Sequence, residues 1–406
     1  MDMKQNADLA EQKLLFRNLL KWILLATIIG MIVGLLSTLF IKGLDYGIKI
    51  YTLNPYSLLL LPVAFFLIGY MRLKLFPKDE VDNTNKVIET IHQAKAVSLY
   101  STFKSFLFPM LTIMVGGSAG KEAPCTDVGA GIGSFISRKL KFDTLERKRF
   151  MICGISAGFA SVFGTPIAAA LYSIEILFIR GSYATLLPAF VSALVAVEIS
   201  SFLGINYFVH EIDLPSLLDF KLFGATIFAA IIFGFLCLSM ITLFNYCKQL
   251  GKRSTLSLPL KASIAGIFLL LIGLSVGQSP LGLGTEVIDA AVSGTAMPWH
   301  TSLLKFITTT ITLNFGGSGG AVTPLLYIGA TLGSFYASIL QLPISFFAAI
   351  GIACVLASVI NTPFAAAVLS IELFGPEIAP YVGFACLISF LITGQRSIFP
   401  SQFFEK

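Results

Sequence analysis

Glu122 is the residue on which chemistry is easiest to place. It stands in the run Gly116-Gly117-Ser118-Ala119-Gly120-Lys121-Glu122-Ala123-Pro124, a carboxylate beside a lysine, led by glycines and followed by a proline. Glycines allow an open backbone there, and a proline just inside a helix start gives up no needed donor. A helix from about Ala123 aims its free amide N–H groups and positive dipole end at the loop, through Gly120, Lys121 and Ala123. An anion binds at such an end without a full positive charge. The Glu122 side chain can occupy that anion position itself, or leave it when protonated, and so serve as gate and proton carrier. The plainer alternative is that it only caps its own helix. Lys121 is a candidate to neutralise it, although side chains of adjacent helix residues diverge and snorkelling to an aqueous edge is an equal reading.

The same frame returns two hundred positions later without a gap. Residues 116–135 are matched by 316–335, with Gly116, Gly117, Ser118, Gly120, Pro124, Gly129, Ala130, Gly133, Ser134 and Phe135 all repeated. In the second copy Ala321-Val322-Thr323 replaces Lys121-Glu122-Ala123, so the backbone of Val322 and the hydroxyl of Thr323 stand where the first copy carries charge. A second pair follows, 154–175 against 351–372, and Lys86-Val87-Ile88-Glu89 matches Glu286-Val287-Ile288-Asp289 upstream. We draw repeat one over 22–205 and repeat two over 220–395. Pseudo-twofold inverted repeats with broken helices at matched places are common among transporters, with the binding site where the helix ends meet.

The elements that must position these residues lie in a membrane. Of 406 residues, 56% are apolar and 12% charged, with mean hydropathy +0.85. A soluble protein carries roughly 25% charge. Segments 22–41, 184–206 and 220–246 are long enough to span. Residues 105–118 are short and interrupted by Pro109, and 151–179 break at Gly164-Thr165-Pro166; 303–317 and 343–374 repeat the pattern, breaking at Asn361-Thr362-Pro363. Unpaired backbone at that depth has to face a cavity or a ligand. Basic residues cluster at the N-terminus, in 138–150 and in 248–253, which the positive-inside rule assigns to the cytoplasm; topology explains them better than nucleic-acid binding does. Residues 1–21 show no cleavable signal, and 9–21 suit an amphipathic helix on the cytoplasmic surface. The cysteines lie singly in apolar stretches and His92, His210 and His300 are scattered, so no metal or redox site is expected. Nor is a soluble regulatory domain expected after Lys406; the chain reads as one membrane domain over 1–406.

With these motifs in place, the chain resembles the CLC family of anion channels and proton-coupled antiporters over nearly its whole length. Gly120-Lys121-Glu122-Ala123-Pro124 is similar to that family's Gly-Arg-Glu-Gly-Pro, whose glutamate is the external gate. Residues 319–324 resemble its Gly-Gly-Ile-Phe-Ala-Pro, whose amides coordinate the anion, and 163–175 and 360–372 resemble its two helix-pair segments. The resemblance implies an all-α inverted-repeat fold, homodimers with one pore per subunit, and no metal or organic cofactor.

The departures are informative as well. Where the family has Gly-Ser-Gly-Ile-Pro, this chain has Asp82-Asn83-Thr84-Asn85-Lys86, with Asn83 at the position of the anion-lining serine. Phe399 aligns with the tyrosine that closes the inner side, and Ile176 after Glu175 stands where chloride antiporters carry an internal proton-transfer glutamate. These changes, with Val322-Thr323 for Ile-Phe, resemble the bacterial fluoride-exporting branch. The Asn83 amide and Thr323 hydroxyl are donors suited to replace the tightly held water of fluoride; satisfying local backbone is their other reading. Glu175 and Glu372, equivalent in the two copies, point to a shared structural task at a helix end, and Asp127 to a cap or bridge. Tyr327 and the phenylalanines, Phe106 and Phe306 among them, read as bulk. The expected function is fluoride/proton antiport across the bacterial inner membrane, with the N-terminus cytoplasmic. A chloride/proton exchanger or passive chloride channel is the first rival. A membrane hydrolase built on Ser118, Glu122 and His92 is a rival of another class, but nothing in the sequence joins His92 to Ser118.

Overall fold

Helix signals dominate the chain, and the computed structural model is accordingly all-helical. It describes residues 2–54, 56–75, 83–93, 95–177, 183–210, 212 and 219–402. The first set of helices is α1 (Asp2–Thr52), α2 (Leu61–Leu75), α3 (Asn83–His92), α4 (Leu99–Met114), α5 (Glu122–Lys139), α6 (Thr144–Phe163), α7 (Pro166–Glu175) and α8 (Tyr183–Phe202). The second is α9 (Phe220–Arg253), α10 (Leu258–Val276), α11 (Thr285–Val292), α12 (Trp299–Asn314), α13 (Val322–Leu340), α14 (Ile344–Val359), α15 (Pro363–Phe374) and α16 (Ala379–Thr393). Taken in order, each helix of the first set has its counterpart in the second. Among the described residues, seven helices are long and apolar enough to cross a membrane, including the three expected near 22–41, 184–206 and 220–246.

One expectation needs correction. Residues 9–21 do not form a separate surface helix; they run without a break into the first span as part of α1. The reason is local: no glycine or proline occurs before Gly30, and the segment is rich in Leu, Lys, Arg, Gln and Glu, which favour helix. Lys21 on this helix pairs with Glu146 of α6 at 2.5 Å, so the charged end of α1 and the basic stretch 138–150 share one side of the molecule.

Two of the expected breaks fall where the sequence places them, at Gly164 and Asn361, whereas Pro109 sits inside α4 without interrupting it. Gly164 ends α6 with a left-handed φ of 73°, and Pro166 opens α7 at a position that needs no N–H donor. In the second copy Asn361, φ 61°, takes the place of the glycine and Pro363 opens α15. The two short helices then lie antiparallel, and each caps the other. The Glu372 carboxylate, near the end of α15, accepts from the amides of Ile167 at 3.1 Å and Ala168 at 2.8 Å. Glu175, closing α7, accepts from Phe364 at 3.1 Å and Ala365 at 2.7 Å. This reciprocal arrangement is the shared helix-end task expected of the two glutamates, and it gives the repeats their inverted relation.

The core is built on helices apolar all round. Every residue of α14 from Phe346 to Val359 is buried, as a helix without a polar face must be in a bundle. Its counterpart α6 is buried from Phe150 to Val162. Each packs on the helix before it, α13 or α5, through paired glycines: a methyl on Gly129 would strike the Gly154 carbonyl, and one on Gly329 the Gly351 carbonyl. Leu24, Leu35, Leu39, Phe268, Leu271, Leu274 and Leu391 remain exposed on the perimeter, where lipid is the natural solvent.

Removing one carboxylate cap is expected to destabilise the bundle. Glu372→Ala should lower the thermal midpoint in detergent by the equivalent of about 1–2 kcal/mol, as loss of a helix N-cap does. An unchanged midpoint would show that the cross-repeat cap contributes nothing.

Candidate functional site

Two loops, residues 115–121 and 315–321, deliver the starts of α5 and α13 to one place. Their shape is set first within each copy: the Gly117 amide donates to the Thr112 carbonyl at 2.9 Å, and Gly317 to Thr312 at 2.9 Å. They are then locked across the copies. The Ser118 amide donates to Thr312 Oγ1 at 3.1 Å, and the Ser318 amide to Thr112 Oγ1 at 3.1 Å. Gly120 and Gly320 exchange both backbone hydrogen bonds at 2.8 Å. Arg72 of α2, buried, donates to the carbonyls of Gly316 at 3.2 Å and Gly317 at 3.0 Å.

Glu122 opens α5 and is 1% exposed. Its carboxylate reaches across to the start of α13. Oε1 accepts from the Val322 amide at 2.7 Å, and Oε2 from Thr323 Oγ1 at 2.7 Å. Short bonds to a carboxyl group are among the stronger ones a protein makes. The amides of Thr323 and of Glu122 itself also face the group. Neither Gly120 nor Gly320 leaves room for a side chain, since a methyl on either would land on the Glu122 carboxylate. The carboxylate therefore sits where a small anion would meet the free amides and dipole of α13.

The other expected residues divide. Val322 and Thr323 touch the carboxylate directly, Gly120 leaves no room beside it, and buried Ala123 is the next residue of α5. Lys121 caps α5 half-buried and makes no ion pair with Glu122 among the described residues, in line with the divergence of adjacent side chains. Asn83 is the first residue of α3, but its side chain lies outside the described residues. Phe399 does not reach the carboxylate. It lines a cavity of about 380 Å³ together with Ala123, Asp127, Gly320, Lys248 and Lys252, on the side of the molecule that carries the basic end of α9. The Ser401 amide donates to Asn85 Oδ1 at 3.0 Å and so ties the chain after Phe399 to α3.

Asp127 is a bridge, as expected: Thr84 and Ser105 both donate to its Oδ2 at 3.4 Å, joining α3 and α4 to α5. Ser118 hydrogen-bonds Thr309 at 2.9 Å rather than a histidine, so the hydrolase constellation is not assembled. The lock residues Thr112 and Thr312 were missed in the sequence. Their signal was available, because they stand at the same two-hundred-residue offset as the glycines. Lys305 was missed too. It is fully buried, donates to the carbonyls of Gly282 at 2.8 Å and Pro280 at 3.4 Å, and lies 4.9 Å over the Tyr327 ring. Tyr327 is thus more than bulk, its hydroxyl meeting Ser279 at 3.1 Å.

The chain is similar to several known proteins. A family model described as voltage gated chloride channel matches residues 64–394. A chloride/fluoride channel protein of Pseudomonas syringae pv. tomato is 33% identical over 404 residues, covering 97% of this chain and 88% of that one. A crystal structure of a CLC-type fluoride/proton antiporter superposes with a TM-score of 0.88 at 28% identity, covering 95% of this chain and 98% of that one. A slow cyanobacterial Cl⁻/H⁺ antiporter shares the fold, with a TM-score of 0.81 at 16% identity over 92% of this chain and 94% of that one.

The Thr323 hydroxyl is expected to hold the carboxylate. In a double-mutant cycle of Thr323→Val with Glu122→Gln, read by thermal midpoint, the two sites should couple by about 1 kcal/mol or more, since hydrogen bonds to charged groups contribute roughly 1.5–3 kcal/mol. Additive effects would mean that the hydroxyl and the carboxylate do not act together.

Proposed function

Given that the chain belongs to the voltage-gated chloride channel (CLC) family, whose members are channels and transporters rather than enzymes, we propose that it is a fluoride/proton antiporter gated by Glu122. The observation that carries this reading is the Glu122 carboxylate seated on the Val322 amide and the Thr323 hydroxyl, each at 2.7 Å. A group held as an anion by those donors can be exchanged for an anion from solution. Protonation weakens its hold on the site, because a neutral carboxyl loses the charge-assisted part of both bonds. When it swings out it takes a proton with it, and fluoride takes its place. Entry of protons down their gradient then drives fluoride out.

Selectivity for fluoride follows from hydration. A small, tightly hydrated anion enters a dry site only where strong donors replace its water, and the Thr323 hydroxyl adds such a donor to the backbone amides. Asn83 has the side chain to add another from α3, and Phe399 closes the inner mouth. Lys121 lends positive field at the loop. The protein works in the bacterial inner membrane as a homodimer, with its N-terminus and the basic stretches 138–150 and 248–253 in the cytoplasm. The Pseudomonas relative, a chloride/fluoride channel protein, and the structurally similar fluoride/proton antiporter both support this choice of ion.

Anion efflux from liposomes holding the purified protein tests the reading. Fluoride is expected to leave at least tenfold faster than chloride and to be driven uphill by an inward proton gradient; chloride preference would assign chloride/proton exchange or passive chloride conduction instead. Glu122→Gln should abolish proton-driven fluoride movement, and wild-type pumping by that variant would overturn the gate.

A further inference from the structure

Gly320 borders both the Glu122 carboxylate and a cavity of about 380 Å³. That cavity is wide enough for many water molecules, one of which needs only about 10–15 Å³ of such space. It reaches the surface at Lys252, which is exposed. Among the described residues lining it, Asp127 is the one carboxylate. Asp127 is 4% exposed and stands on the same helix as Glu122, about 7.5 Å further along its axis at 1.5 Å per residue.

A carboxylate inside a membrane protein is costly and is retained for a reason. Bridging α3 and α4 is one task for Asp127, with Thr84 and Ser105 donating to it, and a carboxyl group in that place can also take up and release a proton, as an asparagine cannot. The cavity also holds the positive charges of Lys248, Lys252 and Lys261, the last donating to the Gly251 carbonyl at 2.8 Å. Basic side chains along the cavity also suit the passage of an anion.

We propose that Asp127 is the inner proton station, receiving the proton from Glu122 through the water of this cavity and releasing it to the cytoplasm. In the transfer the O–H bond of the Glu122 carboxyl breaks and an O–H bond forms on Asp127; the Glu122 carboxylate, negative again, returns to the amide of Val322. Asp127 then loses the same proton to cytoplasmic water. This assignment rests on the antiport reading.

The test is the number of protons moved per fluoride in proteoliposomes, measured on both ions at once. Asp127→Asn is expected to lower that ratio at least tenfold, and Asp127→Glu to keep it near wild type. A wild-type ratio in Asp127→Asn overturns the proposal while leaving antiport intact. Wild-type protein that moves fluoride with no proton overturns both. If Asp127→Asn does not yield a monodisperse protein, Asp127→Ser and Asp127→Glu are compared, since both keep an acceptor for the bridge and only one can carry a proton. A ratio lost in Ser and kept in Glu supports the station; a ratio kept in both refutes it.

Discussion

A carboxylate without water has to find donors inside the protein, and the architecture around Glu122 answers that demand. An ionised side chain in an apolar interior is far less stable than in water unless hydrogen bonds replace its hydration. Here the replacement comes from the first amides of a helix two hundred residues away and from one threonine hydroxyl on it. Those amides are free only because α13 begins in mid-protein, and α13 can begin there only because the loop before it is held in place. Thr112, Thr312, the Gly120–Gly320 bridge and Arg72 do the holding. The Glu122 carboxylate and its donors, the broken helices and the cross-repeat locks are one physical arrangement.

Its internal symmetry distributes the work. Each copy alone would leave helix ends unsatisfied in the apolar interior, a state the membrane does not tolerate. Together they satisfy each other: Glu175 caps α15, Glu372 caps α7, and the loop amides of each copy bond to a threonine of the other. Against that background the unmatched residues stand out. Glu122 has no carboxylate partner at position 322, and Thr323 has no hydroxyl partner at 123. One copy presents a carboxylate; the other presents a backbone amide and a hydroxyl as donors. That asymmetry suits the proposed exchange of one anion for another.

Much of this was legible in the chain itself. The spans, the Gly164 and Asn361 breaks and the proline helix starts all carry signals within a few residues, and the structure follows them, whereas Pro109 lies inside an unbroken α4. The helix-end task of Glu175 and Glu372 was also readable, because the two recur at matched places. The amphipathic pattern of 9–21 misled, since a pattern of charge tells which residues face water and not whether a helix stops. The roles of Thr112, Thr312, Arg72 and Lys305 escaped, because a lone polar residue in an apolar helix has no local partner to announce it.

The amino-acid sequence by itself determined where helices begin and end, that they lie in a membrane, and that they come twice. Glycine, proline and unbroken apolar runs act on the backbone locally, so their effect needs no knowledge of the rest of the chain. Only the tertiary structure decided which donors Glu122 meets. Read locally, its carboxylate has the amides of its own helix to cap; in the folded protein it turns to Val322 and Thr323. The physical reason is burial. Once packing removes water, a charge is held by whatever donors the fold brings within reach, and sequence distance does not specify which those are.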